Sequence, residues 1–233
     1  MLKNLLDRLL KKKGQADLDP PKHLIPLEGT MLDRPVSFGY KCNWLAVHTI
    51  ETDKLADGFG LSDTTPCNWE YGIHYAYEDR FFVSPPVDGW TFIVSSHLPF
   101  AEDQQTVSLI KTMLIDLSRE FGQAQYFGTL RTAGYDSWIK AENGRIIRAY
   151  SLVDGTNTIV EGEPTAPEKK YNLLNTLSEE YDNDPNYLDR QDIDHPDESM
   201  TMEIAGAWSF NPQDLKDRTD LAPRLGILGR SFF

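Results

Sequence analysis

Two dipeptides, Asn143-Gly144 and Asp154-Gly155, constrain this chain more than any other feature of its sequence. Each favours the positive backbone angles of a two-residue hairpin turn, and each is flanked by runs rich in β-branched and aromatic residues, at 135–142, 145–152 and 158–161. Strands joined by such short turns must run antiparallel, because a parallel pair needs a crossover of about a dozen residues. A further run at 123–131 precedes them, so the centre of the chain reads as a meander of hairpins.

The flanking segments add helices. Asp103 can cap a helix in which Val107, Ile110, Met113, Leu114, Leu117 and Phe121 recur at helical spacing before Gly122 stops it. Thr65 followed by Pro66 reads as an N-cap and first helical residue, with Trp69, Ile73, Ala76 and Tyr77 as the apolar stripe. Short strands are expected at 43–48, 80–84 and 90–96, the last two around a wide turn at 85–89. Thr165 and Glu168 have capping-box spacing, which predicts a helix from about Pro167. Another helix is expected from Pro196 to Trp208, and a short one after Asn211-Pro212. The apolar tail 225–233 must be covered, and closing the core is the expected role. The fold class is therefore α+β: a mainly antiparallel sheet with helices packed on one face and a helical C-terminal extension. The chain divides into 1–39, a basic amphipathic helix and Pro-rich connector; 40–165, the α+β core; and 166–233, a helical region with an acidic loop, packed on the core.

Charge narrows the function. The chain of 233 residues carries a formal charge of -13, although residues 1–13 hold Lys3, Arg8, Lys11, Lys12 and Lys13 against Asp7 alone. Residues 179–198 contain nine acids and a single arginine, Arg190. Such a surface repels a phosphate backbone and attracts cationic proteins, so no direct nucleic-acid binding is expected. Two cysteines fit a reducing compartment, and no apolar run approaches the roughly 18 residues of a membrane span. The start lacks the h-region of a signal peptide, so a cytoplasmic location is expected. Leu2, Leu5, Leu6, Leu9 and Leu10 lie on one helical face; docking on protein is expected there rather than membrane contact.

Several motifs hint at chemistry. Cys-Asn-Trp occurs at 42–44 and again at 67–69, each followed by a histidine, His48 and His74. Two Cys and two His can bind zinc, but the long spacings lack the short pairs that pre-organise ligands, and no metal or cofactor is expected. Cys67, Glu70 and His74 share one stripe of the helix expected there, and a helix N-terminus lowers a thiol pKa, so they form an alternative thiol-dependent site. Asp182, Asp184 and Asn186 imitate a calcium loop, but Tyr187 stands where glycine is needed and Ile193 where glutamate is. Arg131, Arg145 and Arg148, with Tyr126, Tyr135 and Trp138, are candidates for an anion site, although arginines on a sheet more often pair with nearby acids. Dinucleotide, P-loop and common hydrolase signatures are absent.

Two phrases, AYEDRFFVSPPVDGW at 76–90 and EFGQAQYFGT at 120–129, resemble those of a group of uncharacterised bacterial proteins similar to the immunity proteins of polymorphic toxin systems. The likeness covers about 43–163 and the helix at 197–211, and it brings no catalytic residues. It implies a cytosolic immunity protein that neutralises a cognate toxin by stoichiometric binding, with a basic nuclease as one candidate toxin. Such binding needs a rigid scaffold, an aromatic anchor and charge complementarity. Asp182, Asp184, Asp189, Asp192 and Asp194, with Tyr187, are the expected docking residues. An adaptor or chaperone for a secreted effector is a further alternative, with the Leu-rich start and apolar tail as its docking elements.

Overall fold

The two turn dipeptides behave as their chemistry requires. Asn143 and Gly144 take φ of 47° and 78°, Asp154 and Gly155 of 47° and 75°, the left-handed values a tight hairpin turn needs. The computed structural model describes residues 27–231. In chain order it runs β1 (Cys42–His48), α1 (Thr52–Phe59), β2 (Ser62–Cys67), α2 (Trp69–Ala76), β3 (Phe81–Val83), β4 (Trp90–Ser95), α3 (Gln104–Phe121) and β5 (Gln123–Leu130). It continues with β6 (Tyr135–Glu142), β7 (Arg145–Val153), β8 (Thr156–Glu161), α4 (Glu179–Asn183), α5 (Glu198–Trp208) and β9 (Gly226–Arg230). The expected basic helix at 1–13 lies outside the described residues, as do residues 232–233.

All nine strands form one sheet, in the order β2-β9-β3-β4-β1-β5-β6-β7-β8, and the strand pairs are antiparallel. The meander expected from the turns is the half from β5 to β8. The other half is not sequential: β1 lies between β4 and β5, and β9 comes from the far end of the chain to fill the place between β2 and β3. The apolar tail thus closes the core, with Leu228 buried. The C-terminal stretch is therefore not purely helical, and the sheet draws strands from both sides of residue 165.

The expectation of helices on one face is corrected: they lie on both. Neighbouring residues of a strand point to opposite faces. Trp44 and Ala46 join one apolar cluster with Trp69, Phe82, Phe127, Trp138, Ile204 and Trp208, while Leu45 and Val47 join another with Leu55, Ile110, Leu114, Tyr126 and Ile139. One face is covered by α1 and α3, the other by α2, α5 and the chain between β8 and α5. This is why β3 (FFV) and β4 (WTFIVS) read as nearly continuous apolar runs rather than alternating ones, a pattern usual in sheets covered on both sides. β1 and β4 are buried almost throughout.

The helix α3 starts at Asp103 as expected, with a reciprocal cap between Asp103 and Thr106. Elsewhere the starts move. Thr65 and Pro66 belong to β2, an edge strand where proline is tolerated, and the cap of α2 is Asn68, whose side chain accepts from the Tyr71 N–H. Gly72 lets α2 lie against β3: a Cβ there would stand 2.3 Å from the Phe82 ring. No helix follows Pro167. Glu168 does reach back to the Thr165 N–H (2.8 Å), the bond its spacing implied, but the segment continues as turns.

Candidate functional site

The acidic stretch, together with the residues that lead into it (the segment 172–198), is held to the sheet by its apolar residues. Leu174 is fully buried, its carbonyl accepts from the Tyr150 hydroxyl (2.7 Å), and its N–H donates to the Asp194 carbonyl (3.0 Å). Asp194 in turn accepts the Asn172 N–H at its carboxylate (2.8 Å), so this residue ties the two ends of the segment together. Tyr187 is buried at 3% exposure, edge-on to Tyr181, and its hydroxyl accepts from the Asn175 N–H. The expected role of Tyr187 as an exposed docking aromatic is therefore corrected. Its ring is large and apolar enough to be worth more inside, and it anchors the segment instead.

Arg190, the lone arginine of this stretch, collects carboxylates. It pairs with Asp192 (2.6 Å), with Glu180 and, more distantly, with Asp184 (3.7 Å), and its guanidinium lies over the Tyr187 ring at 5.5 Å. Hydrogen bonds from Arg190 hold the Asp192 carboxyl below its ordinary range. Asp184 also accepts from the Asn186 N–H. Asp184, Asp192 and Asp194 thus shape the segment, while Asp182 and Asp189 are exposed and, among the described residues, take part in no ion pair. Two large apolar side chains, Leu177 at 58% and Leu188 at 50% exposure, project from the same segment. Exposed leucines were not foreseen, because in sequence they are indistinguishable from core residues such as Leu174.

The alternative thiol site does not assemble. Cys67 ends β2 rather than opening a helix, it is fully buried, and burial together with the nearby Asp33 carboxylate pushes its thiol up to about 12. That is the opposite of the lowering expected at a helix N-terminus. Glu70 and His74 face solvent on α2, where His74 approaches Glu78 (3.5 Å). The two Cys-Asn-Trp copies serve packing: in each the Cys and Trp are buried, and the Asn amide donates to loop carbonyls, Leu98 for Asn43 and Glu28 and Met31 for Asn68. His48 packs against Trp90. Among the described residues no three His, Cys, Asp or Glu side chains are grouped to hold a metal, either there or along the calcium-like stretch.

The arginine cluster also separates. Arg131 and Arg145 are exposed, whereas Arg148 is 2% exposed and bonds Glu168, itself fully buried, at 2.7 Å. Tyr126 and Tyr135 lie on the α3 face and Trp138 on the other. Glu168 also accepts from the Trp138 indole (3.0 Å) and the Thr165 hydroxyl (2.6 Å), and Thr165 accepts from the Trp208 indole (3.0 Å). Arg148 donates as well to the carbonyls of Glu161 and Gly162. Every member of this network has a partner, as a buried charge requires. A cleft of about 480 Å³ opens at the start of α1, lined among others by Ile50, Lys54, Pro86, Arg224 and Ile227.

No family model, curated protein or solved structure matches this chain. Among the described residues no helix is long and apolar enough to cross a membrane.

Proposed function

We propose that this is a cytosolic immunity-type protein that binds a cognate toxin stoichiometrically and thereby blocks it. The observation that carries the reading is the acidic segment: exposed Asp182 and Asp189 stand with exposed Leu177 and Leu188 on a stretch whose backbone is fixed to the sheet by Leu174, Tyr187 and Asp194. A surface of this kind favours a cationic partner twice over. Its charge speeds encounter, and its apolar side chains add area that only contact can bury. Because the segment is already ordered, little conformational entropy is lost on binding. The overall charge of -13 extends the same attraction over the surface, and a nuclease with a basic nucleic-acid groove is the partner class that matches it best.

The resemblance of 76–90 and 120–129 to proteins similar to toxin immunity proteins supports the same reading; within those stretches 81–83 and 123–130 are inner strands that supply scaffold. The docking residues are revised to Asp182, Asp189, Leu177 and Leu188, with Tyr187 and Arg190 as their supports. The test is to mix the purified chain with the product of its neighbouring gene and titrate by calorimetry at low and high salt. A one-to-one complex that weakens as salt rises is expected. No complex, or one indifferent to both salt and these four residues, would discard the proposal.

A further inference from the structure

The tip of the β6–β7 hairpin, Asn143-Gly144, is the only Asn-Gly pair in the chain. Such a pair cyclises more readily than other asparagine dipeptides, because glycine has no Cβ to keep its backbone nitrogen from the asparagine side chain. Asn143 is exposed, so water and a proton acceptor can reach it. The fold nevertheless holds the pair away from reaction. In a two-residue turn with φ of 47° and 78°, ψ of the first residue is about +30°. That places the Gly144 nitrogen nearly opposite the Asn143 side chain about the Cα–C bond, and ring closure requires the turn to rotate open. Two bonds to the end of α3 oppose the rotation: the Asn143 N–H donates to the Gly122 carbonyl (2.8 Å), and the Gly144 N–H donates to the Ser118 hydroxyl (3.0 Å). Ser118 is fully buried and gives its own proton to the Ile115 carbonyl (3.2 Å), which leaves its oxygen as the acceptor for Gly144. The Arg119 side chain lies over the glycine, with its charge engaged by Asp116 (2.7 Å).

We infer that Asn143 is a site of spontaneous covalent modification, and that Ser118 and Gly122 set its rate by keeping the turn closed. When the turn opens, the Gly144 nitrogen gives its proton to solvent and bonds to the Asn143 Cγ, while the side-chain nitrogen takes up a proton and leaves as ammonia. One water then opens the cyclic imide at either carbonyl, giving aspartate or isoaspartate at this position. Either product adds a negative charge beside Glu142. Isoaspartate also lengthens the backbone by one carbon between the paired residues Glu142 and Arg145, where the turn has room for two residues only. The modification therefore displaces Gly144 from Ser118 and undoes the tie between the hairpin tip and α3.

The full chain is incubated at mildly alkaline pH, folded and in urea, and conversion at Asn143 is followed by peptide mapping of aspartate and isoaspartate. The folded chain should convert at least about tenfold more slowly than the unfolded one, since opening of the turn must precede reaction. Ser118→Ala should raise the folded-state rate about three- to tenfold, the weight of one hydrogen bond, and leave the rate in urea unchanged. Ile110→Val, which loosens the core contacts of α3 without touching the turn, should leave both rates unchanged, because the turn opens locally. The proposal is overturned if folded and unfolded chains convert equally fast, if Ser118→Ala fails to accelerate the folded chain, or if Ile110→Val accelerates it as much. Should Ser118→Ala not fold, Ser118→Cys, which keeps the buried shape but accepts a hydrogen bond poorly, decides in its place.

Discussion

Arg148 and Arg190 each gather several acceptors, and they do so under opposite conditions. Arg148 is 2% exposed, its carboxylate partner Glu168 is fully buried, and the pair is tied by side chains and carbonyls from β6, β7 and the turns after β8. Arg190 is 28% exposed, and its partners Glu180, Asp184 and Asp192 are 33–63% exposed. In the interior neither charge can be removed alone, since the other would be left without solvent or partner. At the surface water replaces any lost partner, and ion pairs there contribute little to stability. The buried pair therefore belongs to the architecture, while the surface cluster can be rearranged at little cost to stability.

The largest expected effect tests the interior half of that contrast. Glu168→Ala should destabilise the protein by about 3 to 5 kcal/mol in urea unfolding, because it strands Arg148 in the core. Replacing both residues by apolar ones should recover much of the loss; a Glu168→Ala variant with wild-type stability would break the comparison. Next comes thiol reactivity. With Cys67 raised from 9.0 to about 12, its thiolate fraction at neutral pH is about a thousandfold below that of an ordinary thiol. Alkylation of Cys67 in the native protein should be much slower than that of an ordinary thiol, and rapid labelling of Cys67 would revive a thiol-dependent activity.

On the surface half, Asp182→Asn with Asp189→Asn should leave the urea midpoint unchanged. It should slow association with the proposed partner by about tenfold at low salt and by much less at high salt. A change in stability without a change in association rate would move these residues to the architectural side. The smallest effect is the sharpest in location: in Arg190→Ala, the Asp192 carboxyl should titrate at higher pH by NMR, toward its ordinary value of 3.8, while the rest of the spectrum stays put.

Much of the scaffold was legible because local chemistry decided it. Asn143-Gly144 and Asp154-Gly155 demand left-handed turns wherever they occur, and Asp103 with Gly122 brackets the longest helix. The misreadings share a cause. Thr65-Pro66 looks like a helix start, yet Asn68, with two loop carbonyls to bind and a helix N–H to accept, makes the better cap. Thr165 and Glu168 formed the bond their spacing suggests, but the remaining bonds of Glu168 to Arg148 and Trp138 draw it into the sheet rather than into a helix. Cys67, Glu70 and His74 shared a stripe only on the assumption that the helix began before Cys67. In the acidic stretch the carboxylates could be counted from sequence, but not which of them Arg190 and Asn172 would occupy.

The sequence by itself determined that this chain forms antiparallel hairpins, a long capped helix and a strongly acidic surface, because turn angles, capping bonds and net charge depend on residues close together or on simple totals. Tertiary structure alone decided that β9 crosses the whole chain to enter between β2 and β3, that helices cover both faces, and that Tyr187 turns inward while Leu177 and Leu188 remain outside. Those outcomes depend on which distant surfaces bury the most apolar area and satisfy the most polar groups together, a competition among many packings that no local stretch of sequence encodes.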